Sequence, residues 1–329
     1  MKRIVSGIRP TGKLHWGHYF GIVENWVKLQ SEYECFYFIA DWHALTSEFD
    51  NVEVIKPATL EIIADLLAAG LDPEKSTIFI QSQIPQHTEL QLALAMLTPI
   101  SWLERVPSYK DLQQQMSGKD LSNYGFLGYP LLQTADIIMY KALKVPVGED
   151  QVAHIEFSRE VVRRFHYITK KEIFVEPQPL LTKTPRIPGL DGRKMSKSFN
   201  NAIFIADDEQ TIAQKMMQAI TDPARKRKND PGHPEVCNIF AYHQLYTKPE
   251  RIAEIEAECR QGSIGCVDCK KECIKNAVAF WQPMQEKRQK YLAQGKELFQ
   301  IAKNGAQKAM KEAEIMMERV REAMGLDYL

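Results

Sequence analysis

At 329 residues the chain exceeds the usual size of one domain, which predicts a larger domain of roughly 200 residues with a smaller partner. Hydrophobic residues at 44% and charged residues at 26% match soluble globular proteins and argue against a disordered, collagenous or membrane-spanning chain. Forty-two basic residues balance forty-two acidic ones, so any contact with a polyanion must come from local patches, of which Arg225-Lys226-Arg227-Lys228 is one.

In chain order, Lys2 to Ser6 reads as a short apolar strand, followed by a Gly/Pro loop and a helical pattern from about Gly17 to Glu32. Cys35 to Ala40 is a continuous apolar run suited to a buried central strand, a helix follows near Val54 to Ala69, and another strand at Thr77 to Gln81. Helical segments near Thr88 to Leu97 and Asp136 to Ala142 precede a strand edge at Val145 to Gly148 and a helix over Val152 to Phe165. The alternation predicts an α/β fold with a Rossmann-like, doubly wound parallel sheet. Strand signals vanish from about Asp207, and Lys296 to Met324 reads as one long amphipathic helix, so the second domain is expected to be all-helical. The expected boundaries are 1–198 for the catalytic domain, with 300–329 packing back on it, and 199–299 for the helical domain. No apolar run reaches the roughly 18 residues needed to cross a bilayer, and MKRIVSGIRPTGK has no hydrophobic signal core, so a cytoplasmic location is expected.

His15-Trp16-Gly17-His18 follows a strand and a Gly/Pro loop and opens a helix, where backbone amides and the helix dipole favour phosphate. The two imidazoles could donate to a phosphate, and Gly17 leaves room for an adenine ring. About 180 residues later comes Lys194-Met195-Ser196-Lys197-Ser198, behind the flexible Pro188 to Arg193. Two lysines and two hydroxyls there can close over a triphosphate and neutralise departing pyrophosphate. HWGH and KMSKS together resemble the two signatures of class I aminoacyl-tRNA synthetases. The resemblance implies ATP and Mg²⁺, an aminoacyl-adenylate, and no general base, because the amino-acid carboxylate is already a nucleophile. His15, His18, Lys194 and Lys197 would then be catalytic, with Gly17, Ile187, Met195, Ser196 and Ser198 also at ATP.

Asp136 is one carboxylate in an otherwise apolar stretch, GFLGYPLLQTADIIMY, and burial requires that it have a partner. An indole N–H is one fitting partner; a helix cap or a partnered structural aspartate is the alternative. The stretch resembles the tryptophanyl-tRNA synthetase family, whose Y-P-x-x-x-x-A-D aspartate binds the indole. That implies Asp136 as acceptor with Tyr129 and Gln133 bordering the substrate. Val145 to His154 is similar to the same family's V-P-V-G-x-D-Q-x-x-H segment. It implies Val145 and Val147 at the indole, Gly148, Glu149 and Asp150 at the nucleotide, and Gln151 on the amino acid. The opening Ser6-Gly7-Ile8-Arg9-Pro10-Thr11-Gly12 also matches, placing Arg9, Pro10 and Thr11 at ATP, although many members have glutamine where Arg9 stands. Tyrosyl-tRNA synthetase is the close relative to exclude, since an aspartate also accepts from a phenol.

Cys237, Cys259, Cys266 and Cys269 are spaced C-x21-C-x6-C-x2-C, which suits an iron–sulfur cluster or zinc, with free thiols the remaining possibility. Some bacterial members of the family carry a [4Fe–4S] cluster on a similar motif with one more residue in the first gap. Cys273, on one helical face with Cys269, is an alternative ligand. By resemblance the partners are L-tryptophan, ATP, tRNA(Trp) and a second copy of the chain, the helical domain reads the anticodon, and the Arg225 to Lys228 patch meets tRNA phosphate. The reading from another class is a nucleotidyltransferase that uses H-x-G-H without tRNA and has no need of a long helical C-terminal domain.

Overall fold

The computed structural model describes residues 2–107, 121–181, 187–197 and 199–328. Strands β1 (Arg3–Ile8), β2 (Glu34–Ile39), β3 (Ser76–Ile80), β4 (Lys144–Val147) and β5 (Gln178–Leu181) form a parallel sheet in the order β3-β2-β1-β4-β5. Cys35 to Ile39 are all buried, as a strand flanked on both sides and covered on both faces requires. The chain winds outward from β1 through β2 to β3, then returns to lay β4 on the other side of β1. This is the expected doubly wound, Rossmann-like arrangement, and its switch point lies between β1 and β4. β5 carries no strand signal in the sequence: it is four residues long, contains Pro179 and exposes both ends, all features that an edge strand tolerates.

Contacts divide the chain into two compact units, 1–12 with 25–183 and 292–329, and 13–24 with 184–291. The division differs from the expected 1–198 and 199–299, because the HWGH and KMSKS segments both fall in the second unit. A long-range pairing accounts for this. Trp16 N donates to Ile203 O at 2.9 Å, Ile205 N to Leu14 O at 2.9 Å, and His15 bridges Phe204 antiparallel.

Two helices differ from their expected bounds. The pattern from Gly17 to Glu32 folds as an α turn at Trp16–His18, a π-helical stretch at Tyr19–Val23 and an α-helix at Glu24–Leu29. The helix bearing Asp136 runs Tyr129–Met139, starting about two turns earlier than expected, behind Gly128 with Pro130 in its first turn, where a missing N–H leaves no bond unmade, and ending before Ala142. Every residue of it except Gln133 is buried, so it is a core helix with no solvent face to give it a period.

The sheet unit is completed by the last helix, Gly295–Met324, which lies against β3 and buries Leu298, Ala302, Ala306, Ala309, Ala313, Met316, Met317 and Val320. Arg3 of β1 ties it down by bonding Glu34 at 2.9 Å and Glu312 at 2.6 Å. Gly305 is where the two backbones meet: a Cβ there would stand 1.8 Å from the carbonyl oxygen of Ile78. Backbone cannot yield as a side-chain end can. Gly305→Ala should therefore lower stability by about 3 kcal/mol or more, read as a lower urea midpoint. An unchanged midpoint would mean that the helix slides off β3 without penalty.

The second unit is helical, with Glu209–Gln218, Asn238–Tyr246, Pro249–Arg260 and Cys266–Ala293, the last ending across the unit boundary. Trp16, the second residue of HWGH, is part of its core. It stacks on Trp281 at 5.6 Å and meets Tyr242 and Tyr246 edge-on.

Candidate active site

In the helical unit, His15 and His18 stack with ring centroids 3.7 Å apart. His18 N donates to His15 Nδ1 at 3.3 Å and His15 N donates to His18 Nδ1 at 3.2 Å, a reciprocal cap. Each Nδ1 is thereby an acceptor, so a neutral ring carries its proton on Nε2, free to donate outward. Burial, then the charges of Lys197 and Lys194, lowers His15 to about 4. Burial and the neighbouring His15, Lys197 and Lys194 hold His18 well below its ordinary value. Both rings are neutral at pH 7 and donate as imidazoles.

KMSKS is braced by residues that no motif marks. Asn201 accepts from Ser196 N at 2.8 Å and donates to Asp191 at 2.7 Å and Lys194 O at 3.2 Å, while Asp191 also holds Arg193. Pro188 bridges Lys194 antiparallel, and Gly192 turns the hairpin at φ +81°. Gly189 has no room for a side chain, since a Cβ would stand 2.2 Å from Asn201. From beneath, Asn238 donates to Gly189 O at 2.8 Å and Tyr242 to Pro188 O at 2.9 Å. Ile187 and Met195 are buried, Ser196 and Lys197 half-buried, and Lys194 exposed. The two signatures adjoin at Gly17, where a Cβ would lie 3.7 Å from Met195 Cβ. Ser198 lies outside the described residues, as does the side chain of Asp150.

The sheet unit holds the other expected site residues. Asp136 is 1% exposed. Its Oδ1 accepts from Gln81 Nε2 at 2.7 Å and His87 Nδ1 at 2.6 Å, and its Oδ2 from Gln81 Nε2 at 2.9 Å and His43 Nε2 at 2.9 Å. Burial pushes this carboxyl up, but the bonds from His43 and His87 outweigh it and hold it below its ordinary value. The partners come from the segments that follow β2 and β3: His43 from Asp41–Glu48, Gln81 from the turn at the end of β3, and His87 from Gln86–Ala95. Sequence spacing signals none of the three. Gln81 Oε1 is buried without a hydrogen-bond partner among the described residues.

Tyr129 is buried against His154 and Gln133 is half-buried on the same helix, while Val145 is buried and Val147 half-buried on β4. Gly148 and Gln151 are half-buried and Glu149 exposed just past β4. Arg9 and Pro10 leave the end of β1, so these segments flank the switch point, the usual ligand crevice of such sheets. The Arg9 guanidinium donates to Ser47 Oγ, and its Nε is buried without a partner among the described residues. Burial lowers its pKa, which leaves it an arginine still charged.

A depressed histidine makes stability depend on acid. The neutral form of His15 stabilises the fold fully above the unfolded value of about 6.5, and that contribution is lost as pH falls through about 4. Urea midpoints between pH 7 and 4 should fall less steeply for His15→Asn, by roughly 3 kcal/mol at most.

Residues 1–282 match the family model described as tRNA synthetases class I (W and Y). The tryptophan–tRNA ligase of Thermotoga maritima is 49% identical over 99% of this chain and all of its own length, and that of Aquifex aeolicus is 43% identical over 98% and 100%. The crystal structure of tryptophanyl-tRNA synthetase from Campylobacter jejuni, complexed with ADP and tryptophan, superposes with a TM-score of 0.90 at 33% identity over 98% of this chain and 100% of that one. With its paired signatures and this likeness over nearly all its length, the chain belongs to the class I tRNA synthetases for tryptophan and tyrosine, among the tryptophan–tRNA ligases.

Proposed function

We propose that the chain attaches L-tryptophan to tRNA(Trp) at the expense of ATP, through a tryptophanyl-adenylate, releasing AMP and pyrophosphate. The carrying observation is the pairing of HWGH with KMSKS, which sets two neutral imidazoles beside Lys194 and Lys197. A tryptophan carboxylate oxygen attacks the α-phosphorus, and the bond to the bridging oxygen breaks as pyrophosphate leaves. A terminal ribose hydroxyl of the tRNA then attacks the acyl carbon and AMP departs. Catalysis is positioning plus charge stabilisation, with His15 and His18 donating through Nε2–H, Lys194 and Lys197 neutralising phosphate, and Mg²⁺ adding to that neutralisation when bound.

On the sheet unit, Asp136 serves as acceptor for the indole N–H, bordered by Tyr129, Gln133, Val145 and Val147, with Gln151 on the amino acid. Gln81 Oε1, an acceptor buried without a hydrogen-bond partner among the described residues, supports a ligand that brings a donor. Arg9, Pro10, Thr11, Gly148, Glu149 and Asp150 take the nucleotide from the switch point.

The helical unit takes the tRNA. Lys226, Arg227 and Lys228 are exposed for phosphate, whereas Arg225 turns inward from the expected patch. Its guanidinium donates to Cys259 Sγ at 3.9 Å, to Cys266 Sγ at 3.7 Å and to two backbone carbonyls. A half-buried cation among thiols is balanced if they carry negative charge, which supports Cys237, Cys259, Cys266 and Cys269 as thiolate ligands of a [4Fe–4S] cluster. Burial and the neighbouring Cys237, Cys259 and Cys266 push Cys269 up to about 12, which puts the four sulfurs close to one another. Among the described residues no group of three or more such side chains is arranged to hold a metal ion. Gly232 leaves room, since a Cβ there would stand 2.6 Å from Cys259 Sγ. Cys273 is fully buried with its thiol toward Ile239 O, a core position.

A homodimer is part of the reading. Leu92 and Met96, one turn apart between β3 and β4, and Ile100 beyond them are 55%, 69% and 63% exposed, an apolar face for a second copy. The cytoplasm suits six unbridged cysteines, and no described helix is long and apolar enough to cross a membrane.

Amino-acid-dependent ATP–pyrophosphate exchange over all twenty amino acids tests this reading. Exchange is expected with tryptophan alone, lowered about a hundredfold in His18→Ala and Lys197→Ala, and abolished or relaxed in specificity in Asp136→Ala. No exchange with any amino acid would favour the nucleotidyltransferase, and exchange with tyrosine would mean that the Asp136 pocket is misread. Anaerobically purified protein should absorb near about 400 nm and lose that band in Cys266→Ser; a colourless protein with stoichiometric zinc would replace the cluster.

A further inference from the structure

The carboxylate of Asp136 offers about four lone-pair positions, and the four bonds from Gln81, His87 and His43 occupy them. The donors are not equivalent. Gln81 and His87 are 0% exposed, whereas His43 is 8% exposed and marks the open side of the cluster. A ligand N–H that reaches Asp136 from that side competes with His43 and leaves the other two in place.

Behind His87 stands a residue with no part in the mechanism above. Tyr140 is fully buried, stacks on Phe36 at 4.7 Å, and its hydroxyl lies 2.7 Å from His87 Nε2. A phenol at neutral pH keeps its proton. With Tyr140 donating to Nε2, a neutral His87 must hold its own proton on Nδ1, the nitrogen 2.6 Å from Asp136. The opposite tautomer would set two lone pairs face to face in a site closed to bulk solvent.

We propose that Tyr140 and His87 form a buried relay that fixes Asp136 as an ionised acceptor, which makes both of them positioning residues for discrimination of the indole N–H. The proposal rests on the reading of Asp136 as the indole acceptor. Tyr140 acts two bonds away from the substrate by choosing the tautomer of His87. His87 then supplies a donor that does not leave when tryptophan enters. Without it, the carboxylate loses one of the bonds that hold its charged form against burial, its pKa rises, and it is less firmly fixed as an acceptor.

The test compares pyrophosphate exchange with tryptophan and with its isostere carrying sulfur in place of the indole nitrogen. The full-length variants are Tyr140→Phe, His87→Leu, His87→Asn and Asp136→Ala. Tyr140→Phe removes one buried hydroxyl without changing shape, so it keeps the test decisive even if His87→Leu fails to fold. Expected are a KM for tryptophan raised about tenfold in Tyr140→Phe and His87→Leu with kcat within about twofold, and a preference over the isostere reduced by the same factor. His87→Asn, whose amide donates without a tautomer to choose, should restore most of that preference. Unchanged preference in Tyr140→Phe, with Asp136→Ala having lost it, would overturn the relay and leave Asp136 as the indole acceptor. Preference retained in Asp136→Ala as well would overturn both.

Discussion

A carboxylate can be kept charged at 1% exposure only if donors surround it, and the architecture of the sheet unit answers that demand at Asp136. The helix that carries it leads into β4. Its three donors hang from the segments just after β2 and β3, so two successive crossovers of the winding converge on one side chain. The parallel order of the sheet is what makes that convergence possible. A slip of β3 by one residue would turn Gln81 away and leave a buried charge short of a donor, a penalty of several kcal/mol. Fold and site are therefore stabilised by the same register.

Residues that must present particular chemistry at particular places were legible in the sequence. HWGH and KMSKS combine rare residue types with short fixed spacing, and Asp136 stands out against apolar neighbours. Residues that act by meeting something distant were not. His43, Gln81 and His87 look like ordinary helix or turn residues until three strands bring them to one carboxylate. Asn201 and Asp191, which brace the lysine loop, carry no signal beyond being polar residues on either side of it. The same limit explains the unit division. The pairing of Leu14–Trp16 with Ile203–Ile205 joins segments far apart in the chain, and no local period records it. Trp16 shows the reverse: inside a functional motif it serves as packing, stacked on Trp281.

In the helical unit, Arg225 is set among sulfurs and carbonyl oxygens that take up its donors. The first residue of that sulfur set has a second connection. Cys237 immediately precedes Asn238, whose side chain holds the base of the lysine loop through Gly189 and Leu190. One short segment thus joins Cys237 to the support of the lysine loop within a single compact unit.

Gly305 also bears on how the molecule comes to be made. The helix that covers β3 lies at the far end of the sequence, and its closest approach is to Ile78. While the chain emerges from the ribosome, β1, β2 and β3 can pair long before that helix exists, but one face of β3 stays without its cover until residues 295–324 have left the exit tunnel. The sheet must wait through most of its own synthesis with apolar surface open to water, the interval in which nascent chains are most prone to wrong association and most in need of a chaperone.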